Sequence, residues 1–263
     1  MRFAPLALLV TIALPAAGQQ TQSGETFNWN NKVPAGRWVR VYNVNGAITV
    51  GAASGDNVEV VATKHWRRGD PAVVHFSANM YGGNAVVCAL WGENASCDER
   101  GMHSGNNRDD RRTRNNDVSV EFKVFVPKGV RVSVETVNGA VSVDGVTSDV
   151  SAETVNGEVD VTTTGGRVNA SNVNGNVRAR LGRVEADGDM KFETVNGSVI
   201  VEFNGEFGGD VDLETVNGSL NTNFEMTVSG RLDPKHLRAH IGKPGGPRLK
   251  LETVNGNVEL RRR

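Results

Sequence analysis

Two cysteines, five histidines and a recurring set of glutamates are the residues here whose types could carry chemistry. Cys88 and Cys97 form an isolated close pair, with no C-x-x-C spacing and no adjacent histidine. That pattern favours a structural disulfide over a redox or metal pair. Closing so short a loop stabilises by about 2.5–3 kcal/mol on the chain-entropy argument. His236 and His240 have the i, i+4 spacing of a metal pair, but the intervening glutamate of H-E-x-x-H and an evident third ligand are both missing. His65, His75 and His103 stand apart from them. No G-x-S-x-G elbow, phosphate loop or G-x-G-x-x-G is present. Glu135, Glu153, Glu193, Glu214 and Glu252 recur along the chain, and Glu185, Asp187 and Asp189 alternate around Gly188. Such carboxylates suit a hard cation such as calcium, or, as a pair on neighbouring coils, glycoside cleavage. Because these glutamates belong to a repeat and lack the glycine-and-aspartate nonapeptide of calcium-loaded rolls, a solvated face is the simpler reading. No catalytic, cofactor-binding or metal residue is expected, and no cofactor.

The elements that position these residues follow from an internal repeat. Glu-Thr-Val-Asn-Gly occurs at 135–139, 153–157, 193–197, 214–218 and 252–256, with degenerate copies at Tyr42 to Gly46 and Ser171 to Gly175. From Gly139 onward the motif glycines are spaced 18, 18, 22, 21 and 38 residues apart. A spacing of 18–22 residues is one coil of a stacked β-structure, and the 38 implies a degenerate coil or an insertion. Apolar residues alternate with period two on both sides of the motif, as at Val132, Val134, Val141 and Val143. Short β-branched runs of this kind are strands. The expected fold is all-β, a parallel β-helix or β-solenoid, preferred over a set of Asn-Gly hairpins.

Stacking turns each motif position into a ladder of like side chains. Val137, Val155, Val173, Val195, Val216 and Val254 are expected to form an inward stack, with a corner or bulge between Thr136 and Val137. On that expectation Val195→Asp buries an unpaired charge and unfolds the chain. Asn138, Asn156, Asn174, Asn196, Asn217 and Asn255 are expected to chain their amides along the stack. Gly139, Gly157, Gly175, Gly197, Gly218 and Gly256 supply the positive φ or close backbone approach of a corner.

Residues 1–18 read as a secretory signal peptide: Arg2, an apolar run from Phe3 to Leu14, then Ala16-Ala17-Gly18 before Gln19. The mature chain is expected to be exported, periplasmic or at the cell surface, with no transmembrane span. Lys+Arg 29 against Asp+Glu 30 leaves a net charge of -1, which argues against a nucleic-acid partner. Residues 19–129 are β-rich but irregular, with an aperiodic stretch at 92–117 expected to be disordered above the disulfide, and 130–263 hold the repeats, the whole forming one domain. Trp29, Trp38, Trp66 and Trp91 all lie in the irregular part. They are either caps on the open end of the stack or an aromatic binding platform.

The signal peptide, the irregular β-rich start, the junction Val126-Pro127-Lys128-Gly129-Val130, the repeated T-V-N-G-x-V-x-V and the tail around Gly230-Arg231-Leu232 and Ile241-Gly242 together resemble the bacterial "putative adhesin" domain of unknown function. The resemblance implies a parallel β-helix in the envelope or secreted space and carries over no catalytic or binding residues. The expected function is non-catalytic binding of an envelope glycan or protein. The alternatives are a polysaccharide-active enzyme using an acidic pair, and a periplasmic scaffold for a protein partner.

Overall fold

A computed structural model describes residues 22–103, 116–182, 188–230, 233–242 and 246–263. The expected signal peptide at 1–18, Glu185 and Asp187 lie outside the described residues. The chain is all-β. Two large sheets, of ten and eleven strands, face each other across one apolar core that runs from Val33 to Leu260.

Each repeat contributes one strand to each sheet. The motif strand, such as Val150–Asn156, enters one sheet, and the strand after Asn-Gly, such as Val159–Thr163, enters the other. Successive repeats pair parallel and in register: Glu135 lies on Glu153, Thr136 on Thr154 and Asn138 on Asn156. Val141 likewise lies on Val159, and Val159 on Val177. The side chains at 132, 134, 141 and 143 are buried, as are their counterparts in the other repeats except at Leu220 and Thr222 on the edge strand. Each contributes about 1.5–3 kcal/mol on removal from water. The core is valine and alanine in the middle repeats and larger towards one end, where Met190, Phe192, Phe203, Leu213, Leu249 and Leu251 fill it.

The order of stacking departs from the order of sequence at both ends. Arg248–Asn255 lies between Met190–Asn196 and Gly209–Asn217, pairing parallel with each. Its companion Val258–Arg262 lies between Val199–Phe203 and Leu220–Thr222. The 38-residue spacing is therefore an excursion through the antiparallel strand His236–Ile241, which covers the outer edge of Gly209–Asn217. At the other end, Trp38–Tyr42 lies between Arg131–Asn138 and Asn84–Trp91. Antiparallel strands Gln22–Asn31, Val58–Trp66 and Val74–Tyr81 close that end. Covering parallel edges in this way removes templates for edge-to-edge association.

The structure corrects the expected inward ladder. Val137 is half-buried on the outer face, and Val155, Val173, Val195, Val216 and Val254 are exposed. Thr136, Thr154, Thr194, Thr215 and Thr253 take the inward position instead. Each threonine hydroxyl donates to a glycine carbonyl of the neighbouring repeat, at 2.8–3.1 Å. The degenerate copies put Asn43 and Asn172 there, whose Nδ2 groups donate to Gly46 and Gly157 carbonyls. The alternation runs unbroken through Thr-Val and slips at Asn-Gly, so the corner is later than expected. The physical reason is that a corner leaves a carbonyl turned inwards, and an unpaired buried carbonyl costs about 1–3 kcal/mol.

Val195→Asp is accordingly expected to leave the melting temperature nearly unchanged, because Val195 is 40% exposed. Phe192→Ala, three residues away and fully buried, is expected to cost about 3–5 kcal/mol. Thermal melting of the two variants checks the assignment, and a large loss in Val195→Asp would restore the inward reading.

The stretch at 92–117 is also partly ordered, against expectation. Ser96–Asp98 and Gly101–His103 form an antiparallel pair, while 104–115 lie outside the described residues. Cys97 on the first of these strands is disulfide-bonded to Cys88 in Asn84–Trp91. The bond pins the pair against Tyr42, Val86 and Leu90, a small second apolar cluster.

Candidate functional site

The outward residues of the motif strand are Glu153 and Val155 in one repeat and their equivalents in the others. Residues two apart in a strand share a face, and stacking extends each into a row. The two rows line a groove of about 380 Å³ floored by the threonines. One side carries Glu135, Glu153, Glu193 and Glu252, interrupted by Ser171, and the other carries Val155, Val173, Val195 and Val254. Those valines are 37–40% exposed, which makes a continuous apolar stripe over neighbouring repeats.

The carboxylate row is held by local partners of different kinds. Lys191 pairs with Glu193, and Lys250 Nζ lies 2.7 Å from Glu252. The bond from Lys250 to Glu252 raises the lysine above its ordinary value. Ser151 Oγ lies 3.3 Å from Glu153. Glu135 has no cationic partner among the described residues. Partial burial in the groove, then the Glu153 carboxylate beside it, raises its carboxyl above the usual range. Tyr42 continues the row beyond Glu135. Burial pushes its hydroxyl up, against the pull of Arg40 and with the help of Glu135.

Beside the valine row runs the amide ladder. Nδ2 of Asn138 donates to Oδ1 of Asn45 at 2.8 Å, and the bonds continue through Asn156, Asn174, Asn196, Asn255 and Asn217 at 2.8–2.9 Å. Asn45 extends the set that the motif copies from Asn138 onward define.

Beyond the groove, Asp212, Glu214 and His236 bring ligand-capable atoms within 4.8 Å of one another. His236 thus acquires the acidic neighbours that spacing alone did not reveal, because the antiparallel strand His236–Ile241 lies on Gly209–Asn217. Asp212 is already engaged, however. Its Oδ1 lies 2.8 Å from His236 Nε2, and its Oδ2 lies 2.8 Å from Arg248 and 3.7 Å from Arg238. Burial would raise this carboxyl, but the bonds from Arg248 and His236 hold it below its ordinary value. Two guanidinium groups against one carboxylate oppose a cation here. His240 Nδ1 lies 2.7 Å from Asp210, so the two histidines face separate aspartates and do not share a ligand.

The tryptophans are distributed over both sheets. Trp29 and Trp66 lie in the ten-stranded sheet, and Trp38 and Trp91 in the eleven-stranded one. Trp29, Trp66 and Trp91 are partly buried against the core. Trp38 is flanked by Arg40 at 5.6 Å and Arg131 at 5.8 Å from its ring centre, the guanidinium-on-ring contact. The glutamates lie on the solvated face expected of them, whereas the motif valines lie on the side opposite to expectation. The available signal was the donor kept at the threonine position, since the degenerate copies replace Thr with Asn and never with an apolar residue.

The profile of the Toastrack DUF4097 family matches residues 100–261, more than half of the chain. The chain belongs to that family. The match takes in every full motif copy of this Toastrack chain, from Glu135 to Gly256. Among solved structures, it is similar to a putative cell adhesion protein from Clostridium sporogenes ATCC 15579. The identity is 10% and the TM-score 0.48, over 91% of this chain and 100% of that one. A putative adhesin from Bacteroides fragilis NCTC 9343 is similar at 10% identity and TM-score 0.32, over 91% and 97% of the two chains. Another from Parabacteroides distasonis ATCC 8503 is similar at 13% identity and TM-score 0.33, over 90% and 97%. No curated protein matches the chain. Among the described residues no helix is long and apolar enough to cross a membrane.

Proposed function

We propose that this Toastrack chain is an exported, non-catalytic β-solenoid that holds an envelope glycan in its outer groove. The observation that carries the reading is the exposed valine stripe set beside a carboxylate row. Contiguous exposed apolar surface on an otherwise polar protein marks a contact face. Sugar rings present just such a pair of surfaces, an apolar ring face for the valines and hydroxyl donors for the glutamates. Export is supported by the signal-like residues 1–18 and by the disulfide, which persists in oxidising compartments. A non-catalytic role is supported by the groove glutamates, which recur with the motif and do not form one distinct pair.

Purified mature chain mixed with fractionated cell-wall and outer-surface glycans tests this by co-sedimentation. Retention is expected, and is expected to fall in a Val155→Ser, Val195→Ser double variant that melts normally, since both side chains are exposed. Undiminished retention in the double variant would move the contact away from the groove. Absence of retention on every fraction would overturn glycan binding, and release of reducing ends in the same tubes would make the chain an enzyme.

A further inference from the structure

The chain contains eight Asn-Gly pairs, at 45, 138, 156, 174, 196, 204, 217 and 255. Asn-Gly is the peptide link most open to attack on its own side chain, because glycine leaves its backbone nitrogen unhindered. The nitrogen loses its proton to solvent base and attacks Cγ of the asparagine. The N–Cγ bond forms, the Cγ–Nδ2 bond breaks, and Nδ2 takes up a proton from the solvent and leaves as ammonia. Water then opens the resulting succinimide at either carbonyl, giving aspartate or isoaspartate. A glycine N–H that is held in a hydrogen bond must first be freed before this can begin.

Six of the eight pairs have that restraint. Gly46, Gly139, Gly157, Gly175, Gly197 and Gly256 each donate the N–H to the asparagine carbonyl of the neighbouring repeat, at 2.7–3.1 Å. Gly218 stands at the end of the stack, where no further repeat follows, and its N–H has no acceptor among the described residues. The Asn217 carbonyl still accepts from Gly256 N–H at 3.1 Å. That bond draws electron density from the Asn217–Gly218 peptide and makes the free Gly218 N–H more acidic. Lys235, bonded through Nζ to the Gly218 carbonyl, places a positive charge beside the same residue. Gly205 differs in kind. It follows the strand Val199–Phe203 in an exposed bend, and its N–H likewise has no acceptor among the described residues.

We propose that the folded chain deamidates at Asn217 and Asn204, and that stacking keeps the other six Asn-Gly pairs inert. At Asn217 the product changes the structure. Its Nδ2 donates to Asn255 Oδ1 at 2.9 Å, and a carboxylate in its place faces that oxygen with no proton to give. The last rung of the ladder is then lost. Isoaspartate would in addition reroute the main chain at the carbonyl that receives Gly256 N–H.

The test is incubation of the full mature chain in mildly alkaline buffer, followed by digestion and tandem mass spectrometry to place each amide-to-acid gain. Asn217 and Asn204 are expected to convert at least about tenfold faster than the six stacked pairs, the factor that about 1.4 kcal/mol of restraint supplies. In the urea-unfolded chain all eight are expected to convert at similar rates. Asn204→Gln removes the bend site and should leave Asn217 as the single fast site. Conversion of Asn217 no faster than that of the stacked pairs would overturn the proposal. So would equal rates at all eight sites in the folded chain.

Discussion

A chain ended at Pro247 is expected to lose its cooperative melting transition or to melt far lower, although it keeps four of the five full motif copies. The missing strands, Arg248–Asn255 and Val258–Arg262, are interior to their sheets. They supply Leu249, Leu251, Val258 and Leu260, all fully buried. At about 1.5–3 kcal/mol each these residues contribute about 6–12 kcal/mol, comparable with the whole stability of an ordinary domain. Their removal also strips both neighbours. Gly209–Asn217 loses its parallel partner, and Met190–Asn196 gains an open edge. The measurement is thermal melting with limited proteolysis, where cleavage should concentrate between 209 and 241. Leu251→Ala gives a milder check in a chain of full length, with an expected cost of about 2–5 kcal/mol. Unchanged melting and unchanged protease resistance on truncation would show that the last repeat is peripheral and not inserted.

Gly157→Ala is the second large effect. A Cβ at that position would stand 2.1 Å from the Gly139 carbonyl oxygen and 2.6 Å from its carbon. Both are backbone atoms of the neighbouring repeat, so no side chain can swing aside. The same oxygen accepts the Thr154 hydroxyl at 2.9 Å, so pushing it away also disturbs a buried bond. Overpacking typically costs about 1–3 kcal/mol, and with the lost bond the expected cost is about 3–4 kcal/mol. That corresponds to a melting shift of about 6–16 °C for a chain of this size. Gly55→Ala is the matched control, because a Cβ there meets nothing within 4 Å. Equal melting of the two variants would mean that the motif glycines serve local turn geometry alone.

The particular errors of sequence reading show where pattern stops carrying information. Thr154 and Val155 are adjacent and both β-branched, and hydrophobicity favours the valine as the inward residue. The fold reverses them because the corner turns the Gly139 carbonyl inwards and needs a donor there. Only the neighbouring repeat reveals that need. The valine is thereby released to the surface, where it becomes one wall of the groove. The acidic row was legible, but its joining with the valine row into one concave surface depended on that reversal. His236 was read as lacking a third ligand, and its approach to Asp212 arises from an antiparallel pairing across 24 residues. The hairpin at Ser96–Asp98 and Gly101–His103 was missed because two three-residue strands are too short to show a period.

By itself the sequence determined the all-β class, the repeat length, the Asn amide ladder and the pairing of Cys88 with Cys97. Each of these rests on identity recurring at a fixed interval, or on a single pair with no competitor, and such information is local. Tertiary structure alone decided which face the motif valines occupy and in what order the repeats stack. Periodicity states that alternate residues share a side, without saying which side is wet. Near-identical repeats also pair equally well with one another, so a sequence of them cannot specify that Arg248–Asn255 sits between two earlier strands. That order is set by the strand His236–Ile241, which occupies the outer edge of Gly209–Asn217 and leaves the inner edge for the last repeat.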